Sequence, residues 1–259
     1  MELSVWFENL LLGDKAVEGD RPVKNAPAVV TVIGSGGKTS LIWRLAANLA
    51  PGRRILVTPT TKMFVPSPEE KLYDFYFNGL PASVSGVTLA GIFNEAIGKL
   101  ESLPLPVLSQ IIPGYDLVLI EGDGSKGLPL KAWTDYEPVV PDFTTLTLGV
   151  LPLWPLGKPV SESLIHRLPL FLSLTGAAVG EIIKPEHITA LITGGAGGDE
   201  VPGLFAKARG KKLLFFNQVE DDGDLNQASE IADLLPTAFR ESLSGIIAGS
   251  VRLNRVSKL

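Results

Sequence analysis

Short apolar segments alternate with amphipathic segments along most of this chain. The apolar segments lack a clear two-residue alternation, which is typical of strands buried on both faces of a parallel sheet. Strands are predicted over Ala28–Ile33, Arg54–Thr58, Tyr73–Phe77, Leu117–Glu121, Thr144–Leu151, Lys212–Asn217 and Gly245–Ser250. Helices are predicted over Lys38–Leu49, Ala90–Leu100, Glu162–Ser173, Pro185–Leu191 and Leu225–Leu235. This order predicts an α/β fold, with a mostly parallel sheet flanked by helices.

The connection between the first predicted strand and helix has the composition of a phosphate-binding loop. Its residues are Gly34, Ser35, Gly36, Gly37, Lys38, Thr39 and Ser40. Glycines let the backbone curl around phosphates with its N–H groups inward, and the helix N-terminus adds its positive dipole end. We expect Lys38 to reach the β- and γ-phosphates and Thr39 to bind Mg²⁺ through its hydroxyl. The sequence therefore predicts a P-loop NTPase-like core, with a loop shorter than the standard pattern, that binds ATP or GTP.

Two acids follow the buried segment Leu117–Ile120, namely Glu121 and Asp123. The carboxyl end of a strand in an open parallel sheet faces the ligand crevice. Either acid is a candidate Mg²⁺ ligand, together with Thr39, and the other would orient a nucleophile or take its proton. We therefore interpret Lys38, Glu121 and Asp123 as the candidate catalytic residues.

Further polar residues are candidates for binding a substrate. Thr60, Thr61 and Lys62 leave the second predicted strand and are expected beside the phosphate loop, where switch segments bind a metal or a γ-phosphate. Lys126 and Lys131 flank an apolar tripeptide and are candidates to clamp an anion. Arg167 is a candidate to bind a phosphate or carboxylate, with a structural ion pair as the alternative.

A base-reading motif is predicted after the strand Lys212–Asn217. Asn217-Gln218-Val219-Glu220 has the outline of the N-K-x-D element of GTPases, with Gln and Glu at the second and fourth positions. Asn217 would support the phosphate loop, and Glu220 would accept hydrogen bonds from guanine. The alternative interpretation is a strand end followed by an acidic turn.

Composition excludes several classes of function. The 259 residues contain no cysteine and two histidines, which excludes thiolate metal sites and disfavours a histidine metal cage. A net charge of −5 provides no general basic field, so no nucleic-acid partner is expected. No apolar run approaches the length of a membrane span, and the cytoplasm is the expected location.

The length suits a single α/β domain over residues 1–259. The segment 124–210 is rich in loops and is predicted to form a substrate or partner lobe on the nucleotide core. Within it, the glycine run at residues 194–198 predicts a loop and not a second phosphate site, because no Lys-Ser or Lys-Thr pair follows. A homodimer stays open, since many P-loop proteins complete their sites across a dimer.

Several of these motifs occur in an order that resembles the YqeC family. The resemblance rests on Gly34–Thr39, Thr58–Lys62, Glu121–Lys126, Pro129–Ala132, Glu137–Pro141, His166-Arg167 and Asn217–Glu220. Members of that family are regarded as accessory proteins for selenium-dependent molybdenum hydroxylases. The resemblance implies a P-loop nucleotide-binding core, a role in maturing a molybdenum or selenium cofactor, and a molybdenum hydroxylase as partner.

The reaction has to be argued from the site, because a family role does not specify the chemistry. We expect Mg²⁺-dependent nucleotide hydrolysis or phosphoryl transfer to a small-molecule or cofactor substrate. The loop and the threonine-rich second strand also resemble the ATP-binding domains of Mur-type ligases, so an ATP-dependent ligase or a small-molecule kinase is the first alternative. The second is a non-catalytic, nucleotide-gated chaperone that delivers a cofactor.

Overall fold

The computed structural model of the protein describes residues 1–12, 26–194 and 201–259, so residues 195–198 of the glycine run lie outside the described part. The helices are α1 Leu3–Leu12, α2 Lys38–Leu49, α3 Leu105–Ile111, α4 Leu168–Thr175, α5 Pro185–Thr193, α6 Asp222–Leu234 and α7 Thr237–Glu241. The strands are β1 Ala28–Gly34, β2 Arg54–Pro59, β3 Lys62–Phe64, β4 Phe75–Asn78, β5 Gly86–Asn94, β6 Lys99–Glu101, β7 Leu117–Glu121, β8 Leu130–Lys131, β9 Leu146–Pro152, β10 Ile165–His166, β11 Lys211–Asn217, β12 Gly245–Ser250 and β13 Arg255–Lys258.

Within the described residues, eleven strands form one sheet, in the order β13, β12, β11, β9, β1, β7, β2, β5, β6, β3, with β4 paired to β5 beside this path. The pairs that join β12 through β5 are parallel, as is the pair of β4 with β5, whereas β13, β6 and β3 pair in antiparallel fashion. Strands β8 and β10 form a separate parallel ladder. The predicted α/β fold with a mostly parallel sheet is confirmed.

Helices and loops cover both faces of the sheet. Val30 and Val32 of β1 belong to a hydrophobic cluster that includes Leu41 and Leu45 of α2. Ile33, which points to the opposite face, packs in a second cluster with residues of segment 124–210, β11 and α6. Because β1 is buried on both faces, its sequence is continuously apolar on either side of Thr31.

The order of the strands brings the phosphate loop and the acids together. Strand β1 lies between β7 and β9, and Val32 of β1 is in register with Glu121 of β7. Both strands therefore end at the same edge of the sheet, where an open parallel sheet binds its ligands.

The helix predicted over Ala90–Leu100 is wrong. The chain forms β5 through Asn94, turns, and returns as β6, with Asn94 paired to Lys99. Gly98 has a φ of 62°, a left-handed conformation that suits a tight turn. The pairing of β5 with β2 and β4 outweighs the apolar spacing that suggested a helix.

The helix predicted over Glu162–Ser173 begins later, at Leu168. Pro169 lies in its first turn, where the missing N–H costs no intrahelical bond. The preceding Ile165 and His166 instead pair with β8. The strand predicted over Tyr73–Phe77 likewise lies at Phe75–Asn78.

Segment 124–210 contributes β9 in the centre of the sheet, together with β8, β10, α4 and α5. The apolar side chains of β8, β10, α4 and α5 share one hydrophobic cluster with β11 and α6, whereas Leu146, Leu148 and Val150 of β9 pack in the cluster that contains α2. The identification of this segment as a substrate or partner lobe stays a prediction. Among the described residues, no helix is long and apolar enough to cross a membrane.

Candidate functional site

The loop between β1 and α2 has a backbone that requires glycine. Gly34 and Gly37 have φ values of 105° and 111°. A Cβ on Gly34 would collide with the carbonyl oxygen of Val150, and one on Gly37 would collide with the amide of Asn217. The Ser35 N–H donates to the Val150 carbonyl at 2.9 Å, whereas the buried Ser35 hydroxyl has no hydrogen-bond partner. This glycine cradle with an unpaired hydroxyl fits a phosphate ligand.

Lys38 begins α2 and folds back over the loop. Its Nζ donates to the Gly34 carbonyl at 2.7 Å and lies 3.3 Å from Oδ1 of Asp123. The side chain is 4% exposed. The ammonium group is therefore held between Gly34, at the start of the loop, and Asp123, and its role in binding a phosphate stays a prediction.

Thr39 and Glu121 meet beside this lysine. The Thr39 hydroxyl donates to Oε2 of Glu121 at 2.9 Å. Burial raises the pKa of the Glu121 carboxyl, although the Lys38 charge and the Thr39 hydrogen bond oppose that rise. Mg²⁺ in proteins is commonly held by one or two carboxylates together with substrate phosphates. A hydroxyl and a carboxylate next to the phosphate loop are a donor set that fits it.

Asp123 is fully buried and accepts bonds from several directions. Its oxygens accept from the Gly34 N–H at 3.1 Å, from Nζ of Lys131 at 3.0 Å and from Nε1 of Trp133 at 2.7 Å. Burial opposes ionisation, but Lys38, Lys131 and the indole outweigh it and hold the pKa of Asp123 below its ordinary value. Asp123 therefore ties the phosphate loop to the segment that carries Lys131 and Trp133.

Lys131 lies inside the protein and not at its surface. Its Nζ donates to Asp123, to the Gly124 carbonyl at 2.7 Å and to Glu137 at 3.1 Å. Glu137 also accepts from Arg167 at 2.7 Å. All three protons of the Lys131 ammonium thus have acceptors within the chain. Lys126, in contrast, is exposed.

The threonine segment after β2 contributes unequally to this edge of the sheet. Thr60 donates its N–H to the Glu121 carbonyl at 3.0 Å and its hydroxyl to the Val139 carbonyl at 2.7 Å. The Thr61 hydroxyl is buried without a hydrogen-bond partner. Lys62 lies in β3 and pairs with Glu101 at 3.2 Å. The structure thus brings Thr60 beside the backbone of Glu121 and directs Lys62 to an ion pair with β6.

Asn217 holds the phosphate loop from the other side. Its Nδ2 donates to the Gly36 carbonyl at 2.8 Å, and its Oδ1 accepts from the Val251 N–H at 3.1 Å. This is the loop-supporting contact predicted for Asn217, and its role in nucleotide binding stays a prediction.

Glu220 accepts from the Ser250 hydroxyl and from Nε of Arg252, each at 3.0 Å. The hydrogen bond from Arg252 lowers the pKa of Glu220 most, and the hydrogen bond from Ser250 lowers it further.

A cleft of about 720 Å³ opens beside the phosphate loop. Its residues come from the loop and α2, from the segment after β3, and from the ends of β11 and β12: Gly37, Thr39, Ser40, Trp43, Arg44, Ala47, Phe64, Val65, Pro66, Glu70, Leu72, Asn217, Gln218, Val251 and Arg252. Gln218 and Arg252 line this cleft, whereas Glu220, which is bonded to Arg252, is not one of its lining residues. A cleft of this size, lined by aromatic and polar side chains, is typical of a small-molecule site.

Two residues of the buried network were not predicted as site residues. Trp133 donates to Asp123, and Glu137 joins Lys131 to Arg167. Glu137 stands in the motif that resembles the YqeC family, which was the available signal, whereas the Trp133 contact depends on the position of the segment after β8. Across the described ranges, no group of three or more His, Cys, Asp or Glu side chains is arranged to hold a metal ion alone.

Comparison with known proteins identifies two matches. The family model described as YqeC protein matches residues 30–169, which include the phosphate loop, both acids and Arg167. The chain is also 32% identical over 183 residues to "Uncharacterized protein YqeC" of Escherichia coli (strain K12). That alignment covers 67% of this chain and 70% of the relative.

Proposed function

This chain belongs to the YqeC family, and from that premise we propose that it binds a nucleoside triphosphate with Mg²⁺ and hydrolyses or transfers the γ-phosphate. The observation that carries the proposal is the contact of Thr39 with Glu121 at 2.9 Å, beside Lys38, which bonds to the start of the glycine loop. A hydroxyl, a carboxylate and an ammonium group at one helix N-terminus match the requirements of a metal-bound triphosphate.

The chain's own residues have distinct roles in this proposal. Lys38 and the loop N–H groups neutralise charge on the transferred phosphoryl group. Thr39 and Glu121 would hold Mg²⁺, which supplies charge neutralisation at the β- and γ-phosphates. Asp123 positions the loop and Lys38, because its oxygens already accept bonds from Gly34, Lys131 and Trp133. Of the two acids, Glu121 is therefore the better candidate for contact with the metal or for proton transfer.

The base is either adenine or guanine in this proposal. Asn217 supports the loop in the manner of a guanine-reading motif, which favours GTP. The carboxylate of Glu220 is occupied by Arg252 and Ser250, which weighs against direct reading of guanine by that residue. A preference for GTP would favour a delivery switch, and a preference for ATP would favour a kinase or ligase.

The biological role follows from the family resemblance. We infer that nucleotide use serves the maturation of a molybdenum or selenium cofactor, with a molybdenum hydroxylase as partner. A nucleotide-gated chaperone is a second candidate. The observation in its favour is the chain of ion pairs from Lys38 through Asp123 and Lys131 to Glu137, because such a network can couple the phosphate loop to segment 124–210. Hydrolysis that is negligible alone and rises with the partner would identify this second function.

Calorimetric titration with non-hydrolysable ATP and GTP analogues, with and without Mg²⁺, tests the proposal. We expect Mg²⁺-dependent binding by the parent protein and its loss in Lys38→Ala. Lys258→Ala is the matched control, because Lys258 is an exposed lysine of β13. Circular dichroism establishes that each variant is folded. Equal binding by Lys38→Ala and the parent would refute the assignment of the phosphate loop.

A further inference from the structure

We propose that Lys126, His166 and Arg167, all in segment 124–210, form a second binding site. Its ligand is an oxyanion carried by a small molecule. Binding of an oxyanion there does not depend on the nucleotide. The role of that molecule as a co-substrate rests on the function proposed above.

The ladder of β8 and β10 places His166, and Arg167 directly after it, beside the segment that begins at Lys126. His166 of β10 is in register with Lys131 of β8, and in-register residues of a parallel pair lie on the same face. Arg167 follows His166 directly, and its guanidinium bonds the Ala132 carbonyl at 3.2 Å and Glu137 at 2.7 Å. Lys126 acts electrostatically on the His166 imidazole and lies on the loop that leads into β8.

Positive charge is in excess at this position. The Lys131 ammonium is balanced by Asp123 and Glu137, and Glu137 is shared with Arg167. Lys126 has no ion-pair partner among the described residues. Burial, followed by the charges of Arg167, Lys126 and Lys131, lowers the pKa of His166 to about 4, and the opposing effect of Glu137 is smaller. The imidazole is therefore neutral at physiological pH and able to donate one hydrogen bond.

Donors are also left over for a ligand. Two N–H groups of Arg167 have partners in the described part of the chain, out of the five that a guanidinium carries. The hydroxyl of Thr134, two residues after Ala132, is buried without a partner. A guanidinium, an ammonium group and a neutral imidazole are the donors that a phosphate or carboxylate accepts from.

The backbone at the two cations is unusual. Lys126 has a φ of 52° and Arg167 a φ of 63°, both in the left-handed region that residues other than glycine rarely adopt. Such conformations cluster at ligand clamps and active sites, where the surrounding structure maintains them. The geometry of both residues is thus consistent with side chains held for a ligand.

This second site is joined to the phosphate loop by a continuous chain of ion pairs. Lys38 lies 3.3 Å from Asp123, which lies 3.0 Å from Lys131. Lys131 lies 3.1 Å from Glu137, which lies 2.7 Å from Arg167. An anion bound at Arg167 would therefore sit on the far end of a network that begins at the proposed γ-phosphate position. That placement suits the acceptor of a phosphoryl group or a cofactor precursor with an anionic group.

Histidine NMR tests the proposal directly, because the protein has two histidines and only His166 lies in the site. The probe is inorganic phosphate, with succinate in a parallel series to separate phosphate from carboxylate recognition. We expect the ring resonance of His166 to shift with saturation and its pKa to rise, since a nearby anion favours the imidazolium. His187, which packs against Phe171, should not move.

Variants separate this site from the nucleotide site. Lys126→Gln and Arg167→Gln should weaken phosphate binding at His166 by about tenfold or more, the loss expected for a charged hydrogen-bond donor. Lys158→Ala, an exposed lysine of the same segment, is the matched control and should bind like the parent. Lys38→Ala should retain the His166 response while losing nucleotide. A parent protein whose His166 does not respond to either anion, or a response unchanged in folded Lys126→Gln, would overturn the proposal.

Discussion

The hydroxyl of Thr39 lies 2.9 Å from the carboxylate of Glu121, which accepts its hydrogen bond across 82 positions of the chain. Thr39 stands in the first turn of α2, and Glu121 ends β7. The contact exists because β1 and β7 are parallel neighbours whose ends coincide. Two groups that a hydrated divalent cation prefers therefore converge at the N-terminus of a helix.

The first prediction concerns the metal dependence of nucleotide binding. In Glu121→Gln and in Thr39→Val, Mg²⁺ should no longer strengthen the binding of a triphosphate, because each change removes one proposed ligand. Hydrolysis by Glu121→Gln should fall by about 100-fold or more, as expected when a general base or a metal ligand is lost. Calorimetry with and without Mg²⁺ and a phosphate-release assay measure the two effects.

The double variant tests whether the two side chains act on one ion. If they do, Thr39→Val/Glu121→Gln should lose little more than either single variant, since coupled residues are not additive. Fully additive losses would mean that Thr39 and Glu121 bind the nucleotide independently.

The second prediction concerns stability, and its direction is opposite to that of activity. Burial raises the pKa of Glu121 in the folded state. The unfolded chain therefore loses this proton at lower pH than the folded chain, and the stability contributed by the protonated carboxyl is lost as pH rises through the folded pKa. Glu121→Gln should consequently be more stable than the parent at neutral pH, although it is less active.

Urea denaturation at two pH values measures this effect. At neutral pH the variant should have the larger free energy of unfolding, and below the ordinary glutamate pKa of about 4.3 the difference should shrink. Glu186→Gln, at an exposed glutamate of α5, is the control. If Glu121→Gln were less stable than the parent at neutral pH, burial of the ionised Glu121 carboxylate would not destabilise the folded protein.

The third prediction concerns the buried ion pair of Asp123 with Lys131. Both side chains have no exposed surface, so removing one charge leaves the other buried with a single ion-pair partner, Lys38 for Asp123 or Glu137 for Lys131. Asp123→Asn and Lys131→Met should each lower the free energy of unfolding by about 3–5 kcal/mol. Asp123→Asn also weakens the hold on the Gly34 N–H and on Lys38, and it should reduce nucleotide binding more than Lys131→Met does.

The cost should be partly recovered when both charges are absent. We expect Asp123→Asn/Lys131→Met to be less destabilised than the sum of the single variants, by an interaction energy of about 0.5–3 kcal/mol. Chemical denaturation of all four proteins, with Lys158→Met as an exposed control, gives this energy. A strictly additive double variant would indicate that the pair does not interact across its 3.0 Å separation.

The sequence was sufficient for the parts of the fold that depend on local pattern. The continuous apolar runs around Val32 and Leu119 were recognisable as buried strands, and glycine followed by Lys38 and Thr39 marks a strand-to-helix turn. Over Ala90–Leu100 the local pattern was misleading, and the helix predicted there was wrong. The apolar spacing of this region resembles a helix, but β5 is a strand because β2 and β4 pair with it, and such distant pairing leaves no local signal.

The sequence was sufficient to predict which residue types form the candidate site, but not which hydrogen bonds and ion pairs join them. Lys126 and Lys131 were predicted to clamp an anion, yet Lys131 is buried by its bonds to Asp123 and Glu137. Those bonds depend on how β8 pairs with β10, a register between residues 35 positions apart that no periodicity encodes. A chain of long-range ion pairs therefore emerges only once the topology is known.

The fourth prediction concerns the cradle itself, at Gly37. An alanine there has to adopt a φ of 111°, and its Cβ would also collide with the Asn217 amide that supports Gly36. Gly52 has a φ of 72° but open space around its Cβ position, so Gly52→Ala has the backbone cost alone. Gly52→Ala should lose about 1–2 kcal/mol of unfolding free energy, and Gly37→Ala a further 1–3 kcal/mol, about the cost of overpacking.

Nucleotide binding distinguishes the two substitutions more sharply than stability does. Displacement of the Asn217 amide would release the Gly36 carbonyl and shift the loop N–H groups that the phosphates need. Folded Gly37→Ala should therefore lose binding of ATP and GTP analogues alike, while Gly52→Ala binds as the parent does. If Gly37→Ala retained full affinity, the loop between Gly34 and Lys38 would not be the phosphate cradle, and the cleft beside α2 would need another ligand.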